Sequence, residues 1–295
     1  MDSLDGKVAV ITGAGNGIGR AEAVLLAERG AAVVVNDVGR DLADEVVAEI
    51  VAAGGRAEAN YADVSDWKSG HEMVRQAVEN FGGLDVVVTN AGLVRRAPIT
   101  EVTETELDTQ MSVLFKGTYG LIHHAAAYWK RESEAGRHAH RTIVATSSSA
   151  GVPGGVREFS VYGAMKAGIA ALVLGAALEF RPFGVTVNAI LPHAATRMDA
   201  LAKGLAEPGP YAPDDPDPLN PRHVANVVGY LASARAAWLS GQVFEITGTQ
   251  VRQWVPWSVA AEVDDDVAWT GEALDTALAT RVYGTLPGGR VIPKR

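Results

Sequence analysis

The chain contains no cysteine. That excludes a disulfide framework, a thiolate-ligated zinc or iron–sulfur centre and a cysteine nucleophile, and nothing ties the protein to an oxidising compartment. Long apolar runs are missing too. The longest, 167–178, falls well short of the about 20 residues that a membrane-spanning helix needs, so it is expected to be a buried helix and no membrane partner is expected. Basic stripes are absent: 26 Lys and Arg stand against 35 Asp and Glu, a net charge of -9, and Arg95–Arg96 and Lys130–Arg131 are only short pairs. Such a balance disfavours nucleic-acid binding. Asp2 and Asp5 precede the first apolar run, the wrong charge for a secretory signal, and a cytoplasmic location is expected.

What is present, 295 residues at 47% hydrophobic and 21% charged, is enough for one large α/β domain or two small ones. Apolar runs at Val8–Thr12, Ala32–Asn36, 84–89, 142–146, 185–191 and 242–247 alternate with helical patterns near 18–29, 42–53, Trp67–Phe81, 104–130, 162–180 and 221–234. Nearly unalternated β-branched runs separated by helices call for a parallel sheet covered on both faces. The expectation is a single doubly wound Rossmann-type domain over 1–250, with a seven-stranded, mostly parallel sheet. Prolines at 208, 210, 213, 216, 218 and 221 make a loop beyond the sixth strand, so a substrate loop is placed at about 192–221. The extension 251–295 holds Trp254, Trp257 and Trp269, an acidic cluster at Asp264–Asp266 and a basic end at 290–295. Its tryptophans suggest packing on the same or a neighbouring subunit, and a short helix fits 270–280.

The first strand runs into Thr12-Gly13-Ala14-Gly15-Asn16-Gly17-Ile18-Gly19 and then a helix. Glycines there let backbone N–H groups and the positive helix end approach a pyrophosphate, although a tight strand-to-helix turn also uses glycines for steric reasons alone. The spacing G-x-G-x-x-G fails, because its last position is Ile18 or Arg20; T-G-x-x-x-G-x-G fits. Asp37 ends the second strand, where a carboxylate bonds the adenosine ribose hydroxyls. It also repels a ribose 2′-phosphate, which favours NAD over NADP, and an Arg40 folded back toward the site would soften that preference.

Tyr162 and Lys166 are four apart in a helical stretch and share one face. A phenol is a poor base at neutral pH, and a nearby ammonium favours the phenolate, so the pair is an acid/base candidate. Ser147, Ser148 and Ser149 end the preceding strand, where a hydroxyl reaches a carbonyl or simply serves the turn.

These motifs, together with Asp63-Val64 and Thr89-Asn90-Ala91-Gly92, resemble in order and spacing the short-chain dehydrogenase/reductase family over about residues 6–250. Val33–Asp37 with Val38-Gly39, and Pro192 through Arg197-Met198, are similar to the branch with the (R)-3-hydroxyacyl-CoA dehydrogenase units of peroxisomal multifunctional enzymes. The resemblance implies hydride transfer between a nicotinamide cofactor and a secondary alcohol or ketone. It makes Tyr162 the acid/base, Lys166 the ribose-binding group that lowers the Tyr162 pKa, and a strand-end serine the carbonyl polariser. It places Asp63 and Val64 beside the adenine and Asn90, Ala91 and Gly92 along the cofactor. Thr196 falls by the cofactor amide or phosphates, and Ile190 and Pro192 flank the nicotinamide. Homodimers or homotetramers through the helices near 104–130 and 160–180 are implied as well.

Two ways of counting disagree on the serine. The family's usual interval back from Tyr162 gives Ser149, whereas the local pattern S-x-x-G, read as Ser148-Ser149-Ala150-Gly151, gives Ser148; the strand-anchored count is preferred because a surface loop absorbs an insertion more easily. The family pattern is broken at Leu114, where an Asn usually supports a proton-relay water, and at His193, which replaces a Gly after Pro192. His193 is read as a substrate contact or a merely hydrogen-bonded residue. His123, His124, His138 and His140 lack a metal-ligand pattern and no metal is expected. The expected function is NAD-dependent oxidation or reduction of a bulky hydrophobic substrate, a 3-hydroxyacyl thioester, steroid or terpenoid. The alternatives are an NADPH-dependent 3-oxoacyl thioester reductase and a non-catalytic cofactor-binding scaffold or redox sensor.

Overall fold

The computed structural model describes residues 3–196, 200, 211–255, 257–259 and 261–282. Two compact units divide the chain, Met1–Trp254 and Val255–Arg295. In the first, β1 (Val8–Thr12), α1 (Gly17–Glu28), β2 (Ala32–Asn36), α2 (Arg40–Ala52) and β3 (Arg56–Asn60) form one half of a doubly wound sheet. The other half follows α3 (Trp67–Phe81) and comprises β4 (Val86–Thr89), α4 (Glu104–Gln110), α5 (Gly117–Glu134), β5 (Arg141–Thr146), α6 (Ser160–Phe180), β6 (Val185–His193), α7 (Pro221–Ala232) and β7 (Val243–Thr247). A last strand, β8 (Gln250–Trp254), closes the unit.

The strand order is β3-β2-β1-β4-β5-β6-β7-β8. Seven strands are parallel and β8 pairs antiparallel with β7, so the sheet has eight strands rather than the expected seven. The turn between them places Gly248 at φ 55°, a conformation that glycine adopts without strain. The inner strands feed both cores by alternation. Val33 and Val35 face a core with Leu26, Val46, Ile50 and Val228, while Val34 faces one with Trp129, Ile143, Ile169 and Leu191.

The helix expected at 104–130 is interrupted. Residues Met111–Lys116 wind as a π-helix between α4 and α5, and Leu114 in that turn is wholly buried. Of the proline-rich stretch, 208 and 210 lie outside the described residues; Pro221 starts α7 behind the Asn220 cap, whose side chain accepts from the Arg222 N–H. α6 is long and apolar enough in composition to cross a membrane, yet Ile169, Ala170 and Val173 on its inner face are buried in the core. In the second unit a helix α8 (Gly271–Ala277) runs into a π turn at Leu278–Val282, with Thr270 capping its start. The basic end at 290–295 lies outside the described residues, as do Arg197 and Met198.

Candidate active site

The chain reverses direction across the sheet between β1 and β4, and the crevice beyond those strand ends is where open α/β sheets bind ligands. A cleft of about 640 Å³ opens there, lined by Gly13, Asn16, Gly17, Ile18, Asp37, Asn90, Ala91, Gly92 and Thr196 among others. Its floor is interlocked. A Cβ on Gly19 would lie 2.3 Å from the Gly13 carbonyl oxygen, and one on Gly13 would lie 2.7 Å from Ala91 Cα. Thr12 Oγ1 accepts from the Asn90 and Ala91 amides, both at 3.1 Å, and the Asn90 side-chain amide donates to the Thr12 and Gly13 carbonyls. Asn90 is thus a brace of the glycine loop as well as part of the cleft wall. Asn16 caps α1, its side-chain oxygen accepting from the Gly17 N–H at 2.6 Å.

Asp37 stands at the rim with both carboxylate oxygens engaged, one accepting from Gly15 N–H at 3.0 Å and the other from Gly39 N–H at 2.9 Å. Arg40 does not fold back onto it. The Arg40 guanidinium lies over the Tyr61 ring, 4.3 Å from its centroid. Thr196 sits across the cleft with its methyl 3.3 Å from where a Gly17 Cβ would be. Asp63 and Val64 are not among the lining residues: Asp63 accepts from the Ser65 N–H, and Val64 packs into the core where Gly117 lets α5 approach. Pro192 pairs with Ile246 in the sheet, again behind the lining.

The serine run resolves into separate tasks. Ser147 turns inward and donates to the Lys166 carbonyl at 2.7 Å. Ser148 is the serine whose hydroxyl lies by the Tyr162 phenol, and its Oγ accepts from the Ala150 N–H at 3.1 Å. This proximity rests on two glycines: a Cβ on Gly151 would lie 2.5 Å from Ala167 N, and one on Gly163 would lie 2.7 Å from the Ala150 carbonyl oxygen. Burial pushes the Tyr162 phenol up, and the nearby Ser148 hydroxyl partly offsets that. Lys166 is buried, which pushes its pKa down to about 8; its ammonium donates to the Thr146 carbonyl at 2.6 Å and lies 5.7 Å from the Tyr162 ring centroid. The lysine charge is spent on a carbonyl and not bonded to the phenol, so the expected lowering of the Tyr162 pKa is not found here.

A family model described as short chain dehydrogenase matches residues 7–203. The chain belongs to the short-chain dehydrogenase family. Hydroxyacyl-CoA dehydrogenase ChsB1 of Mycobacterium tuberculosis is 43% identical over 259 residues, covering 84% of this chain and 79% of that protein. Peroxisomal multifunctional enzyme type 2 of Mus musculus is 35% identical over 254 residues, 82% of this chain but only 32% of that longer protein. Among solved structures, a short chain dehydrogenase from Mycobacterium avium is 39% identical, with a TM-score of 0.86 over 96% of this chain and 97% of that one. As a short-chain dehydrogenase the protein is an oxidoreductase using a nicotinamide cofactor, and its resemblance to the branch with the multifunctional enzymes holds.

Sequence reasoning missed Leu42, Leu93, Val94, Arg95 and Arg96 on the cleft wall. Leu42 had a signal, as the first apolar residue of the helix after Asp37. The 93–96 segment had none, for its place depends on a distant clasp: Ala97 N–H donates to the Glu158 carbonyl at 3.1 Å, and Arg96 pairs with the Glu158 carboxylate at 3.0 Å. Glu158 takes φ 68° to do this.

Proposed function

We propose that the protein is an NAD-dependent dehydrogenase of hydrophobic secondary alcohols, with 3-hydroxyacyl thioesters as the leading substrate class over steroids and terpenoids. The observation that carries the reading is the convergence of the Ser148 hydroxyl, the Tyr162 phenol and buried Lys166. The fit to a dinucleotide rests on the cleft at the start of α1, where a Cβ on Gly17 would reach within 3.3 Å of the Thr196 methyl, and on Asp37 at the rim. The thioester class is supported by the likeness to a hydroxyacyl-CoA dehydrogenase.

When bound, the nicotinamide accepts or delivers the hydride. The chain's part is the proton and the oxygen. Ser148 donates to the substrate oxygen and fixes it beside the phenol, and Tyr162 Oη takes the hydroxyl proton during oxidation or returns it during reduction. Lys166, a buried residue of α6 whose ammonium donates to the Thr146 carbonyl, stands behind that exchange and binds the nicotinamide ribose. Asp37 accepts from the ribose hydroxyls and repels a 2′-phosphate. Gly13, Gly17 and Gly19 admit the diphosphate to the N-terminus of α1. The apolar outer surface of α6, with Leu178 76% exposed, suits a homodimer or homotetramer.

The test is a panel of 3-hydroxyacyl thioesters, steroid alcohols and terpene alcohols with NAD and with NADP. Turnover with NAD, lowered about 10²- to 10⁴-fold by Tyr162→Phe with cofactor binding kept, is expected. Better efficiency with NADP(H) points instead to a reductase of 3-oxoacyl thioesters, and tight cofactor binding with no turnover of any compound to a scaffold.

A further inference from the structure

Glu245 lies in the middle of β7 with only 9% of its side chain exposed, an unusual place for a carboxylate. Three groups converge on it. His193 Nε2 is 3.0 Å from one oxygen, the Trp254 indole N–H donates to the other at 2.8 Å, and Arg252 Nη1 stands 3.5 Å from the first. Burial by itself raises a carboxyl pKa, but the bonds from Trp254 and His193 and the charge of Arg252 outweigh it and keep Glu245 ionised. Trp254 and Arg252 belong to β8, the strand that the family's motif span does not include.

What this clamp holds is the last residue of β6. Alternation puts His193 on the same face of the sheet as Leu191, which packs into the core beneath α6. On that face stands the helix carrying Tyr162 and Lys166. The neighbouring strand β5 runs level, since Ser147 N–H donates to the Ile190 carbonyl at 2.8 Å, and so Ser148, just past the end of β5, and His193, at the end of β6, both lie at the ligand end of the sheet. With Nε2 occupied by Glu245, Nδ1 is the ring nitrogen without a partner among the described residues, on a side chain still 37% exposed.

We infer that His193 is a specificity-determining residue that binds a second oxygen of the substrate, one beyond the reacting carbon, and that Glu245, Trp254 and Arg252 are positioning residues acting through it. A secondary alcohol carrying such an oxygen, as a 3-hydroxyacyl thioester does, is then preferred over one without it. Nδ1 accepts from a hydroxyl when the ring is neutral and donates to a carbonyl when it is protonated. The inference rests on the dehydrogenase reading above.

The experiment compares kcat/KM for a short 3-hydroxyacyl thioester with that for the matched secondary alcohol lacking the thioester. His193→Ala is expected to lower the ratio of the two at least tenfold, chiefly through KM, and His193→Gln to restore part of it. Glu245→Gln and Trp254→Phe are expected to move the ratio in the same direction while NAD binding is kept, and they stand in if the alanine variant fails to fold. A ratio within twofold of the parent in the folded variants overturns the inference and leaves the dehydrogenase reading standing. A parent that oxidises neither compound overturns both.

Discussion

Glu22 is the residue that most plainly works against the fold. It lies on α1 with no exposed surface, neither carboxylate oxygen has a hydrogen-bond partner among the described residues, and burial raises its pKa from 4.5 to about 8. Between those two values the folded protein holds a proton that the unfolded chain releases, so stability falls as pH rises through that window. Lys166 has the opposite sign: burial lowers its pKa from 10.5 to about 8, and stability rises across that alkaline window as the unfolded chain's extra proton is lost. Glu22→Gln is therefore expected to stabilise the protein by a few kcal/mol more at pH 8 than at pH 5, read from denaturant unfolding at the two pH values. An equal effect at both would mean that Glu22 is solvated. At Asp37, replacement by Ala removes the repulsion and two loop bonds together, so NAD affinity is expected to fall about tenfold while NADP affinity changes less. Calorimetric titration of both cofactors checks this, and an unchanged NAD affinity would contradict it.

Among the elements, the approach of α6 to the end of β5 matters most, because it brings Ser148 to Tyr162. Gly163→Ala puts a methyl against the Ala150 carbonyl and must shift the helix or the turn. Such a displacement is expected to lower kcat about 10²-fold while the NAD dissociation constant moves far less. Similar losses in both would show that the helix shift reaches the whole cleft. How legible such elements were in the sequence follows from their burial. β1, β2 and β5 are buried along their whole length and read as apolar runs; the Tyr162–Lys166 pair and the glycine loop read from spacing. β3, Arg-Ala-Glu-Ala-Asn, is an edge strand half open to solvent, and its composition carries no apolar signal. β8, Gln-Val-Arg-Gln-Trp, is exposed except at Trp254, and its polar composition reads as the start of a tail. The π turn at Met111–Lys116 leaves no trace in periodicity, since one extra residue per turn over so short a stretch barely moves the apolar face. Counting by local pattern chose Ser148 over Ser149, but the reason for Gly151, a backbone contact across to α6, was visible only in three dimensions.

For the molecule as a whole, the strand order and the two cores were within reach of the sequence, and the link from β8 through Glu245 to His193 was not, because it joins residues 52 positions apart. A chain ending at Thr247 keeps the glycine loop, Asp37, Ser148, Tyr162 and Lys166, yet loses the indole that Glu245 accepts from and the strand that covers β7. Such a chain is expected to show a lower Tm and poorer solubility than the full protein, measured by thermal unfolding and by yield in the soluble fraction; equal values would show β8 to be dispensable. Leaving β7 as a bare edge also invites strand-to-strand association between copies. The hairpin at Gly248 therefore sets how much polypeptide a ribosome must release before the sheet can be finished. Every motif for binding and chemistry precedes it in the chain, so a strand made after them settles whether the earlier residues are held in working order.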